Sequence, residues 1–245
     1  MPSESAPSAR EFTTAMTDAF SLTRRGFILA AAGLVAGCAT SRELSGPPAT
    51  NARKQAERDL AEYELGDWLI GFKPDEPYDI PLIDLTKLPR RFHRTMEVYE
   101  GREPPGTVII DLETKHARLV LENGSAIRYG VAVGEDGKGW TGPAAVGRKA
   151  IWPGWTPTAR MRNEDPTLPA FMPGGVANPM GARALYVTQR GQETLYRLHG
   201  TDEPWTIGEE DSNGCIRFLN EDILDLYGRV QTGAAIVVRR NGKLV

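Results

Sequence analysis

Between Thr107 and Val133 the chain offers three strand-forming runs in close succession. Thr107-Val108-Ile109-Ile110-Asp111 is a β-branched run, and Glu113-Thr114-Lys115 can turn it into Ala117-Arg118-Leu119-Val120-Leu121. Asn123-Gly124 then leads into Ala126 to Val133. Asn-Gly is the strongest short-range hairpin signal, because both central residues of the tight turn need positive φ. Three consecutive strands joined by turns argue for an antiparallel meander rather than a βαβ unit. A further hairpin is expected from Ala184–Gln189 and Thr194–His199 around Arg190-Gly191. A last strand is expected over Ala234–Arg239, whose centre Ile236-Val237-Val238 suits a buried place in a sheet. One helix is expected before it: Asn220 as N-cap, Glu221 and Asp222 in the first turn, and Ile223, Leu224 and Tyr227 as the apolar stripe. The fold class expected is mostly β, an antiparallel sandwich or meander with a few short helices.

Between Gly134 and Arg183 strand signals are sparse, while tryptophan and proline are common. Trp140, Trp152 and Trp155 lie here together with six prolines from Pro153 to Pro179. A long loop inside a compact domain is usually functional or disordered, and disordered segments lack aromatics. This one is therefore expected to form a binding loop, its tryptophans lining a cleft, packing the loop onto the sheet, or both.

The chain has 245 residues and a formal net charge of -3, with no basic patch of the kind that binds nucleic acid. Residues 1–38 are expected to be a leader. A polar Ser/Thr/Ala-rich stretch, with Met16 as an alternative start, precedes Arg24-Arg25 and the short apolar run from Phe27 to Gly37. Two arginines ahead of such a run suggest a twin-arginine export signal. Val35-Ala36-Gly37-Cys38 is similar to a lipobox, with Cys38 as the lipid-bearing residue; cleavage to a soluble periplasmic form is the alternative. Residues 39–104 are expected to be a tether and extension with a short helix over Ala52–Tyr63, residues 105–239 the main folded domain, and 240–245 a tail. His93 and His116 are expected at the surface. No metal-ligand spacing occurs, and no phosphate-binding or dinucleotide motif, so no cofactor is expected.

If Cys38 carries lipid, Cys215 is left with no partner within the chain. A lone thiol in an oxidising compartment is more often chemical than structural. Cys215 stands in Ser212-Asn213-Gly214-Cys215-Ile216-Arg217, and His199-Gly200-Thr201 lies just upstream at the end of a strand-like run. A thiol with its ordinary pKa of about 8.5 needs help to become a thiolate, and an imidazole can take its proton. Gly214 allows a tight bend that aims backbone N–H groups at one point, as an oxyanion site requires.

Ser-x-Gly-Cys-Ile-Arg preceded by His-Gly-Thr resembles the signature of the YkuD-type L,D-transpeptidases, cysteine enzymes of bacterial peptidoglycan, over roughly Pro105 to Arg239. The resemblance implies Cys215 as nucleophile, His199 as base, Gly214 with the Cys215 amide as oxyanion site, and Ser212 and Arg217 in support. Many members carry a histidine where this chain has Asn213. The segments around Trp155 and Thr156, and around Asn178 and Met180, are similar to parts that line the donor cleft; Gly200 and Asn213 are expected beside them. The implied reaction is attack on an L,D peptide bond of a stem tetrapeptide, release of D-alanine, and transfer of the acyl group to an amine. A carbapenem would be expected to acylate such a thiol. The implied partners are peptidoglycan stem peptides, with an acceptor lipoprotein or outer-membrane protein possible by the same likeness. A hydrolase of the same fold and a non-catalytic wall-binding lipoprotein stay open.

Overall fold

The computed structural model of the chain describes residues 50–134, 142–210, 215–240 and 243–244. The expected leader, Cys38, Trp140 and Ser212-Asn213-Gly214 lie outside them.

The three-strand meander is present as β4 (Val108–Asp111), β5 (His116–Val120) and β6 (Ser125–Val133), each antiparallel to the next. Gly124 takes φ 72° in the Asn-Gly turn. The later hairpin is β8 (Arg183–Gln189) and β9 (Gln192–His199), closed by Arg190 and Gly191 at φ 51° and 79°. Positive φ at both turn residues matches the twist of the flanking strands.

Four more strands join this sheet: β3 (Thr95–Val98), β7 (Ala144–Ile151), β10 (Ile216–Phe218) and β11 (Ala235–Arg240), with the short β12 (Lys243–Leu244) on β11. The mostly β architecture is as expected, but two pairings are parallel, β10 with β9 and β11 with β4. The long strand β6 explains how the sheet turns back on itself. One edge of its first half pairs with β3, and the same edge of its second half pairs with β10. Its other edge pairs with β5. The path β6-β10-β9-β8-β7-β11-β4-β5 therefore returns to β6. Its interior holds Ile110, Leu119, Tyr129, Leu185, Leu198 and Phe218, sealed by Ile223 and Leu226 of α3 (Asn220–Arg229).

β7 had no clear signal in the sequence. It alternates buried Ala144 and Val146 with half-exposed residues, but Gly147, Arg148 and Lys149 break the β-branched pattern. Neighbours on both sides, β8 and β11, hold it in place.

The segment expected to be a tether and extension is structured from residue 50. Helix α1 (Asn51–Leu65) is capped by Thr50, whose hydroxyl accepts from the N–H of Arg53. A hairpin follows, β1 (Leu69–Lys73) and β2 (Ile80–Ile83). Tyr78, Ile80, Leu88 and Phe92 form a second apolar cluster with Trp152, Val176, Ile207 and Leu219. Two histidine expectations are corrected here. His116 is buried, with its Nε2 2.8 Å from the carbonyl of Arg91, and the ring sits beside Phe92. The extension covers it, which position in a turn could not reveal. His93 is half-buried, its Nε2 2.9 Å from the carbonyl of Leu88.

Candidate active site

His199 ends β9, and Cys215 immediately precedes β10. The parallel register places Ile216 opposite Leu198 and Arg217 opposite His199, so Cys215 falls level with Arg197. Side chains alternate along strands. Ile216 and Leu198 are fully buried in the core, which turns Cys215, Arg217, Arg197 and His199 to the other face. All four line one cavity of about 440 Å³. Residues sixteen apart in sequence are thus neighbours because the loop after β9 returns to pair parallel with it.

His199 is 4% exposed. Its Nδ1–H donates to the carbonyl of Gly200 at 2.6 Å, and the carbonyl of Pro179 also faces the ring. Burial, assisted by the charge of Arg217, pushes its pKa down to about 3. Cys215 is half-buried, with Sγ 3.7 Å from the carbonyl of Leu195. Burial pushes its thiol up, and Arg197 is the strongest opposing influence. The resting pair is therefore neutral thiol and neutral imidazole.

The second wall comes from the loop after β7 and from α2 (Ala159–Glu164). Trp155, Thr156 and Met180 line the cavity, as expected. Asn178 does not. It is 1% exposed, its side chain donates to the carbonyls of Met172 and Pro173, and its Oδ1 accepts from the N–H of Met180. It shapes the turn that presents Met180. Gly200 does not line the cavity either. A Cβ there would meet Asn220 Oδ1 at 2.1 Å, so glycine is required by close approach. Arg217 lies on the cavity wall and pairs with Glu203 at 3.0 Å. Trp152 is buried in the second cluster, edge-on to Tyr78, and donates Nε1–H to Asp75. Of the two possible roles for the tryptophans, Trp152 packs and Trp155 lines.

Asn220 is a further correction. Leu219 is the cap residue of α3, and Asn220 is buried as the first helical residue. Its side chain accepts from the N–H of Ala182 at 2.9 Å and donates to the carbonyl of Thr201 at 2.8 Å. It ties the start of β8 to the chain just after His199. Leu195, Arg197, Arg160 and Met161 also line the cavity and were not singled out in the sequence. Arg197 was legible in principle, since it is two residues before His199 on the same strand face.

Among the described residues no group of three or more potential ligands is placed to hold a metal. The cleft thus brings together a half-buried sulfur, an oriented imidazole and partly apolar walls. Residues 105–238 match the model of the YkuD L,D-transpeptidase catalytic domain, and the chain belongs to that family. The probable L,D-transpeptidase YbiS of Escherichia coli K12 is 40% identical over 139 residues, 54% of this chain and 43% of that protein. The probable L,D-transpeptidase ErfK/SrfK of Salmonella typhimurium is 40% identical over 116 residues, 46% and 35% of the two chains. The chain thus spans less than half the length of these curated relatives. A crystal structure from Brucella melitensis, described as a probable carnitine operon oxidoreductase, is 40% identical and covers 64% of this chain and 99% of that one, at a TM-score of 0.43.

Proposed function

We propose that the protein is a peptidoglycan L,D-transpeptidase with Cys215 as nucleophile and His199 as general base and acid. Nε2 of His199 accepts the thiol proton as sulfur attacks the carbonyl of the L-centre in the L,D bond of a stem tetrapeptide. The imidazolium so formed protonates the leaving nitrogen, D-alanine departs, and a thioester remains. A second amine then attacks the thioester and gives its proton to His199, and the sulfur leaves as thiolate. A positioned base of this kind contributes on the order of 10²–10⁴ in rate. The resting pair stays neutral because both groups are desolvated, so charge separates only as the thiol proton moves to the imidazole. Gly214, with the Cys215 amide, is assigned the oxyanion site, Ser212 and Arg217 supporting roles, and Trp155, Thr156, Met180 and Asn213 the donor cleft.

The observation that carries this reading is the shared cavity lined by both His199 and Cys215. Its test is intact mass after incubation with a carbapenem. The expected result is one covalent adduct on Cys215, lost in Cys215→Ala and formed far more slowly in His199→Ala. Unimpaired acylation of the second variant would remove His199 from its role. Mass spectrometry of muropeptide products separates transfer to an amine from hydrolysis; cross-linked or exchanged products are expected, and free tripeptide alone would assign the protein as a hydrolase.

For the whole protein we place residues 1–38 as a twin-arginine-like signal with lipid on Cys38, and the enzyme in the periplasm against the wall. Its acceptor is another stem peptide or a wall-attached protein. Among the described residues no helix is long and apolar enough to cross a membrane. The intact mass of the exported protein tests this: a diacylglycerol and acyl increment on a chain starting at Cys38 is expected, and a mature chain lacking Cys38 would overturn lipidation.

A further inference from the structure

Arg197 is the cation nearest in register to Cys215. Its Nη1 donates to the carbonyl of Leu195 at 3.3 Å, and Cys215 Sγ lies 3.7 Å from the same oxygen. One backbone oxygen therefore holds guanidinium and sulfur side by side on the cavity wall. The guanidinium is also fixed from behind: its carbon stands 5.1 Å from the ring centre of Tyr186, a residue 7% exposed. The charge of Arg197 is also the strongest influence that holds the Cys215 thiol down against the effect of burial.

The other charged groups facing the cavity are less suited to this task. Arg217 is paired with Glu203 at 3.0 Å, which offsets its charge, and Asp202 also acts on it. Arg160 is exposed on α2. His199 is held neutral by burial, so no imidazolium stands beside the sulfur at rest.

We propose that Arg197 is a further catalytic residue, the cation that carries the negative charge of the Cys215 sulfur as its proton leaves for His199. The guanidinium keeps its own protons throughout. The thiol proton moves to Nε2 of His199, the sulfur's charge is shared with Arg197, and it is consumed when the sulfur–carbon bond forms. This rests on Cys215 being the nucleophile. It differs from a simple cysteine–imidazole pair in giving the thiolate a counter-ion that does not titrate in any accessible range.

The test is the pH profile of Cys215 alkylation by iodoacetamide in the full chain, followed by the mass of the Cys215 peptide so that Cys38 does not contribute. Wild type is compared with Arg197→Lys, Arg197→Met and His199→Gln; Arg197→Gln replaces the Met variant if that fails to fold. Loss of the guanidinium is expected to raise the midpoint by about one pH unit or more and so to slow alkylation at neutral pH about tenfold. Lysine should restore most of the rate, and His199→Gln should move the midpoint much less. A profile of Arg197→Met that superposes on wild type, or a shift in His199→Gln alone, overturns the proposal. Carbapenem acylation of the wild type is read in parallel: its absence would strike the nucleophile assignment itself, whereas acylation with no effect of Arg197 would strike only this inference.

Discussion

At the residue scale, the site depends on keeping His199 dry. Its pKa is pushed down to about 3 from an ordinary 6.5. Between those values the unfolded chain binds a proton that the folded chain refuses. Stability therefore falls as pH drops from about 6.5 towards about 3, by at most about 1.4 kcal/mol per pH unit. Asp202 and Asp222 act the other way: burial pushes both up to about 7, so the folded chain holds extra protons below that pH and gains stability as the pH falls. The difference between wild type and His199→Gln isolates the imidazole. Urea unfolding from pH 4 to 8 should give a difference that is flat above pH 6.5 and slopes below it; a difference independent of pH would show that the ring is not held neutral. Asn220 gives a second prediction. Asn220→Ala leaves the N–H of Ala182 and the carbonyl of Thr201 without their buried partner, at a cost of about 1–3 kcal/mol for each unsatisfied group. Carbapenem acylation should slow with the loss of stability, because Thr201 follows directly on the His199-Gly200 pair. Acylation at the wild-type rate would confine Asn220 to a structural role.

At the scale of elements, two strand ends make the site and the N-terminal extension braces its far wall. Asp75 accepts from Trp152 Nε1 at 2.9 Å and from both terminal nitrogens of Arg183. Glu57 of α1 accepts from the N–H of Val176 at 2.8 Å. These two carboxylates hold both ends of the segment that includes Trp155 and α2. Asp75→Ala would strand the Arg183 guanidinium, 5% exposed, without its partner. Breaking a buried pair from one side costs about 3–5 kcal/mol. The expected outcome is a lower unfolding midpoint together with faster proteolytic cleavage between residues 156 and 178. Cleavage unchanged in that segment would mean the sheet alone holds it.

At the scale of the molecule, the extension is part of the core. The family match begins at residue 105, yet β3 pairs with β6, and Phe92 lies over both Gly130 and Gly208, where a Cβ would meet it at 2.4–2.6 Å and 2.2 Å. A chain beginning at 105 would lose β3 and more than half of the second apolar cluster. It should therefore unfold well below a chain beginning at 50, as read by thermal denaturation with equal protein and buffer; equal midpoints would show that the extension is an accessory layer.

The strands β4 to β6, the β8–β9 hairpin, α1 and α3 were legible from local rules: β-branched runs, two-residue turns needing positive φ, and helix periodicity. Local rules act between residues a few positions apart, and that is where they held. They could not reveal β7, whose order comes from neighbours on either side, nor the burial of His116 beneath the extension. They misplaced Asn178 and Asn220, because an amide suited to a cleft or a cap is equally suited to holding two buried backbone groups together, and only the packing selects between those uses. Arg197 beside the sulfur follows from the parallel register of β9 and β10, a contact whose free energy lies in long-range pairing and core burial rather than in any stretch of sequence.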